Sequence, residues 1–201
     1  MPLKTELHCH NIFSNGHVGA LEPIHDCNVT IPIQLEQAHL AGLDVLFVTN
    51  HNTIDGYKQI LEYKKNHQKF DTLSVYPAEE VTTDNESHVL VYGIDHSIKS
   101  GLSLHEILDE AKKQDAVTVA PHPFSLMDAL REDSTYCDLF EVFNSSNVDV
   151  YSNLRAKKFA KEKSLHVVAG SDSHVQSTVG RSTNLIYSEN KLDSEIGRAH
   201  V

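Results

Sequence analysis

The sequence predicts an α/β fold built on a largely parallel sheet. Two observations carry this. Short apolar, strand-like runs alternate with helix-like runs along the chain, with no internal repeat and no low-complexity tract. Histidines and acids recur at the ends of the strand-like runs, where a parallel barrel gathers its functional side chains on one face. The chain has 201 residues, a length that suits one domain.

The elements follow in order. Residues 3–7 read as a strand. Residues 11–32 show no clear period and read as a loop, and loops of this length in compact domains are often functional. Leu35 and Ala38 stand at helical spacing in 34–41, and Gly42 is a natural stop. The run 43–48 is apolar and β-branched, as a buried strand requires. A helix over 55–65 ends on Lys64-Lys65, which complements its dipole. Strands are expected at 73–81 and 88–94. Ser103-Leu104-His105-Glu106 is a capping box that opens a helix to Lys113, with Ile107, Leu108 and Ala111 inward. Further strands are expected at 117–120, 139–143 and 166–169, with a helix over 148–163 between the last two. Residues 183–187 read as a final strand.

Composition narrows the function. Lys plus Arg number 17 and Asp plus Glu 28, a net charge of −11. That argues against a protein held to duplex nucleic acid by bulk charge, since each phosphate contact needs a cation. It leaves room for a small phosphorylated substrate in a local cationic or metal site. Residues 1–11 carry no signal or transit pattern, and no apolar run approaches the roughly 20 residues that span a bilayer. The cysteines number 3, odd and widely spaced, which suits a reducing compartment, and a cytoplasmic location is expected. Ile196-Gly197-Arg198-Ala199-His200-Val201 is what a common sequencing adaptor encodes in one frame before a stop. The expectation is therefore one domain over 1–195, truncated at its C-terminus, with 196–201 a non-native tail.

The 14 histidines decide the rest. His8-Cys9-His10 closes the first strand and His51 follows the second. Glu79-Glu80 closes the third, and His88 opens the next. His122 follows 117–120, and Asp172-Ser173-His174 follows 167–170. Residues i and i+2 of an extended segment point the same way, so His8 with His10, and Asp172 with His174, can each grip one ion. A carboxylate such as Glu80 can bridge two ions about 3.5–4 Å apart, as two-metal hydrolysis requires.

This pattern resembles the PHP (polymerase and histidinol phosphatase) domain. The resemblance rests on His8-x-His10, Thr49-Asn50-His51-Asn52-Thr53, Pro77-Ala78-Glu79-Glu80-Val81, His88, Pro121-His122-Pro123 and Gly170-Ser171-Asp172-Ser173-His174, in order and interval over about 4–187. It implies a distorted (β/α)7 TIM-like barrel that hydrolyses phosphoesters with two or three divalent transition metals, Mn, Fe or Zn. Carried over, a first ion takes His8, His10, Glu80 and Asp172, and a second takes Glu80, His88 and His122. A third takes His51, His174 and the acid of the family's Ser-Asp-Gly turn. Here that turn is Ser14-Asn15-Gly16, and the family's common Asp-His-Asp is Asn50-His51-Asn52. Either His17 replaces the lost acid, or this is a two-metal enzyme with a weak third site. Histidine-rich ligation favours transition metals over Mg²⁺ or Ca²⁺.

The implied reaction is in-line attack on phosphorus by a metal-bridging hydroxide. His51 or His174 could give the leaving oxygen its proton if the third ion is absent. Arg181 is the candidate phosphate clamp, because its planar fork matches phosphate oxygens; a surface arginine is the equal alternative. Glu141 could orient a ligand from behind, and His25 and Cys27 could cover the site. The expected substrate is a phosphomonoester or short nucleotide phosphoester: a nucleotide, an oligonucleotide end or an amino-alcohol phosphate. No membrane and no strong duplex binding are expected. Two rivals stand beside this. An amidohydrolase-type enzyme would need a lysine at a strand end to bridge its ions, and none is suitably placed. A non-catalytic metal-binding or regulatory module would account for the lost carboxylates.

Overall fold

One mixed sheet organises the computed structural model, which describes residues 1–17 and 25–187. Its strands are β1 (Leu3–Glu6), β2 (Val45–Val48), β3 (Ser74–Thr82), β4 (His88–Tyr92), β5 (Val117–Ala120), β6 (Leu139–Asn144), β7 (Val167–Gly170) and β8 (Asn184–Ile186). Four α-helices connect them: α1 (Ile31–Leu40), α2 (Asp55–Lys64), α3 (Leu104–Lys113) and α4 (Val150–Lys163). Across the sheet the order is β7-β6-β5-β4-β3-β2-β1-β8. The two outer strands approach each other and the barrel nearly closes. Side chains span the gap: Asn184 of β8 accepts from the Ala169 amide of β7 at 2.9 Å and donates to its carbonyl at 2.7 Å.

The order and type of the predicted elements hold, and the bounds shift by a few residues at most. α3 carries the expected capping box. α1 begins earlier than expected, at Ile31, with Pro32 in its first turn, where the missing N–H costs nothing. The parallel pairing holds for β1–β2, β2–β3, β5–β6 and β6–β7. β4 departs from it, running antiparallel to both neighbours. The turn at 83–87 is too short for a crossover, which needs a dozen or more residues, so the chain must reverse. The reversal pairs His88 with Thr82 and so puts the first residue of β4 at the C-terminal end of β3, beside Glu80. β8 also runs antiparallel, against β1.

Alternate strand residues fill two compartments. Val81, Val89 and Val91 pack outward against Ile107 and Ala111 of α3 and Ala156 and Ala160 of α4. Leu7, Ala78, Leu90, Tyr92, Val119 and Leu139 meet inside the barrel. A further cluster around Leu35, Leu46 and Ile60 seats α1 and α2. Cys9, Cys27 and Cys137 are free thiols. Among the described residues no helix is long and apolar enough to cross a membrane. Residues 196–201, and the end of the expected domain at 195, lie outside the described residues.

Candidate metal centre

Past Glu6 the first strand continues as extended chain, and its neighbour is the segment after β7. The Asp172 amide donates to the His8 carbonyl at 2.7 Å and the His10 amide to the Ser173 carbonyl at 3.0 Å. These two bonds stitch the His-x-His segment against the Asp-x-His segment. The same device joins the ends of β2 and β3: the Glu80 amide donates to Asn50 O and the Asn52 amide to Glu80 O, both at 3.0 Å. Asp172 and His122 hold left-handed backbone, at φ 52° and 29°, which non-glycine residues adopt at a cost. Both amides are pinned, Asp172 as above and His122 by donating to Glu141 Oε2 at 2.6 Å.

Glu80 stands at the centre, 1% exposed. Its Oε2 lies 3.5 Å from His8 Nε2, 3.2 Å from His10 Nε2 and 3.5 Å from His51 Nδ1. Its Oε1 faces a different pair, His88 Nδ1 at 3.1 Å and His122 Nε2 at 3.0 Å. Asp172 Oδ1 is 3.4 Å from His8 Nε2, 3.5 Å from His10 Nε2 and 3.4 Å from His174 Nδ1. The structure thus brings together every metal-ligand candidate read from the sequence.

The donors fit cations. His8 Nε2 and His10 Nε2 are buried and make no hydrogen bond, although carboxylate oxygens lie close. Spacings of 3.2–3.5 Å without hydrogen-bond geometry match the edge of a tetrahedron whose centre lies about 2.1 Å from each donor, the usual length of a metal–nitrogen bond. Among the described residues no Lys or Arg pairs with Glu80 or Asp172. Burial opposes charge on both acids, yet the surrounding histidines hold both well below the ordinary carboxylate range. Burial drives His51 down to about 3, which leaves it the neutral ring that metals require. Burial also works against charge on His174, but the bond to Asp26 and the charges of Asp172 and Asp26 prevail and raise it to about 9.

Behind the donors stands Glu141, 1% exposed. Its Oε1 meets His8 Nδ1 at 3.0 Å, while its Oε2 accepts from the His122 amide at 2.6 Å and from Asn144 Nδ2 at 2.9 Å. It fixes the tautomer of His8 and so presents Nε2 as the free donor atom. Glu141→Gln should weaken metal binding about 10–100-fold, because an amide replaces one acceptor oxygen with a donor facing a donor; isothermal titration with Mn²⁺ checks this. Gly170 leaves room for that acid. A Cβ there would lie 2.0 Å from Glu141 Oε1 and 2.5 Å from His8 Cβ. Gly170→Ala should therefore cost roughly 1–3 kcal/mol in thermal denaturation and lower metal content with it. Glu79, next to Glu80, points the other way and accepts from the Ile98 amide at 2.5 Å.

Some expectations fall differently. Arg181 is exposed, and among the described residues its guanidinium has no hydrogen-bond or ion-pair partner, so nothing there joins it to the cluster. His17 is exposed, and among the described residues it meets the site through its carbonyl, which accepts from Asn52 at 2.6 Å. It does not replace the acid missing at position 15. Asp26 stands there instead, its Oδ2 3.2 Å from His174 Nε2 and 3.8 Å from His51 Nε2. Sequence reasoning missed Asp26 because no motif contains it. Its only signal was its place in the long aperiodic loop. His25 is exposed, whereas Cys27 is buried and donates to the His174 carbonyl at 3.3 Å.

Comparison with known proteins places this architecture. The uncharacterized protein MJ1587 of Methanocaldococcus jannaschii is 32% identical over 165 residues, 80% of this chain and 93% of that protein. The family model described as PHP-associated matches residues 150–200. The chain belongs to the PHP-domain family. Solved structures share the fold at lower identity. Endonuclease Q, crystallised with a 27-mer duplex bearing an abasic lesion, gives a TM-score of 0.67 at 19% identity, over 99% of this chain and 56% of that one. A protein assigned as a metal-dependent phosphoesterase from Bifidobacterium adolescentis gives 0.63 at 18%, over 96% and 94%. These neighbours support the TIM-like barrel expected from the motifs.

Proposed function

We propose that this PHP-domain protein is a metal-dependent phosphoesterase acting on a phosphomonoester or short nucleotide phosphoester. The observation that carries the reading is the division of labour on Glu80, whose two oxygens face two separate sets of histidines. A bridging carboxylate between two donor sets is the arrangement that two-metal hydrolysis needs. His8, His10 and Asp172 would complete one centre, and His88 and His122 the other. Bound divalent ions would acidify water and neutralise phosphoryl oxygens.

The chain's own groups do the rest. Glu141 orients His8, and the buried wall around Glu80 excludes water that would weaken these charges. His174 is 28% exposed on its side chain while His8 and His10 are 0%, so substrate enters from the His174 side and the leaving oxygen meets that corner. Arg181 has no role in this assignment. The free thiols of Cys9, Cys27 and Cys137 fit a reducing compartment such as the cytoplasm.

Phosphate release tests the reading. The protein with Mn²⁺ is offered nucleoside bisphosphates, short oligonucleotides and sugar or amino-alcohol phosphates. Turnover of one class, absent in His8→Ala, is the expected result. Bound metal without turnover of any phosphoester would instead support a metal-binding module.

A further inference from the structure

We infer that Asp26 supplies the acid of a third metal centre with His51 and His174, and that Asn15 is the residue that holds it there. The inference takes the two-metal reading only as the setting, and its test reads metal content independently of turnover.

The donor atoms of His10, Asp26, His51 and His174 all lie within 4.8 Å of one another. Two of those distances, 3.2 Å from Asp26 Oδ2 to His174 Nε2 and 3.8 Å to His51 Nε2, bracket the tetrahedral edge of about 3.4 Å set by a metal–nitrogen bond of about 2.1 Å. Asp26 Oδ2 is buried and meets neither ring in good hydrogen-bond geometry, so its lone pairs face the space between the two rings where a cation would sit. His51 offers Nε2 to this corner while its Nδ1 faces Glu80.

Asn15 explains how a residue outside the motifs arrives there. Its Oδ1 accepts from the Asp26 amide at 2.7 Å and the Cys27 amide at 2.9 Å, and its Nδ2 donates to the Cys27 carbonyl at 3.0 Å. The next residues are tied to the segment that carries His174. The Cys27 thiol donates to the His174 carbonyl at 3.3 Å, and the Asn28 amide does so at 3.2 Å. An amide suits this post because it presents an acceptor to two N–H groups and a donor to a carbonyl. A carboxylate has no donor and would repel both the Cys27 carbonyl and Asp26. The neutral residue in the turn is therefore the scaffold for the acid that acts, and restoring an acid at position 15 removes the scaffold.

Mn²⁺ content after loading and gel filtration tests this, read by elemental analysis on wild type, Asp26→Asn and Asn15→Asp, with circular dichroism and Tm to certify folding. We expect three ions per wild-type chain and two in each variant, with His174→Ala also at two. Wild type holding two ions or none, or Asp26→Asn holding three, overturns the assignment. So does Asn15→Asp keeping or gaining an ion, because the turn residue would then be the ligand. Three ions falling to two without turnover of any phosphoester would leave this centre standing and defeat the proposed function instead.

Discussion

Glu80→Gln should abolish turnover and strip both centres that share this residue. Its two carboxylate oxygens face two donor sets: Oε2 serves His8, His10 and His51, and Oε1 serves His88 and His122. Glutamine keeps the shape but loses the charge and one acceptor, and its NH₂ group would point at nitrogen donors meant for a cation. If the substitution costs about 4 kcal/mol of transition-state stabilisation, within the several kcal/mol that a bound ion supplies, the rate falls about 10³-fold. Steady-state kinetics with elemental analysis measures both effects. Glu79→Gln is the internal control. Burial raises the Glu79 carboxyl to about 7, and it serves the Ile98 amide on the opposite side of the strand, so its neutral variant should hold its ions and lose less than about threefold in rate. Equal losses in the two variants would mean that the strand, and not the bridge, is what matters.

Chelation should lower Tm by roughly 10–20 °C. Each ion bound at 100 times its Kd adds about 2.7 kcal/mol, the two that share Glu80 alone add about 5, and a chain of this size shifts about 2–4 °C per kcal/mol. The loss should depend on pH in a defined direction. In the metal-free protein His174 is raised from 6.5 to about 9 by its acidic partners against the effect of burial. Its protonated form then stabilises the metal-free fold fully below 6.5, and that contribution is lost as pH rises through 9. Metal binding requires the neutral ring, so it gains over the same interval. The Tm difference between loaded and chelated protein should therefore widen from pH 6.5 to 9. Differential scanning calorimetry in Mn²⁺ and in EDTA reads it, and a gap that narrows with pH would count against metal at His174.

Much of the centre was legible because its ligands lie at fixed spacings on strand ends. An extended chain sets i and i+2 on one side whatever surrounds it. His8 with His10 and Asp172 with His174 therefore announce shared sites, whereas the choice of Glu80 over Glu79 came from the family resemblance, parity saying only that the two acids point to opposite sides. The reversal of β4 was also available from chain length, since 83–87 cannot carry a crossover, yet the alternating pattern of elements masked it. Arg181 illustrates the opposite case. Its nearness in sequence to the last motif suggested a clamp, but the turn at 178–181, closed by the Arg181 amide on Thr178 O at 3.1 Å, leaves its side chain exposed.

The sequence by itself determined the alternation of strands and helices, the ligand types and the pairs that act together, because those depend on periodicity and donor chemistry, which are local. Only the tertiary structure decided what fills the corner beside His51 and His174. Asp26 reaches it from a stretch with no period, eleven residues beyond Asn15, through hydrogen bonds that exist only once the segments after β1 and β7 lie side by side. No local rule encodes such a contact, because it is set by which loops the nearly closed barrel brings together at its rim.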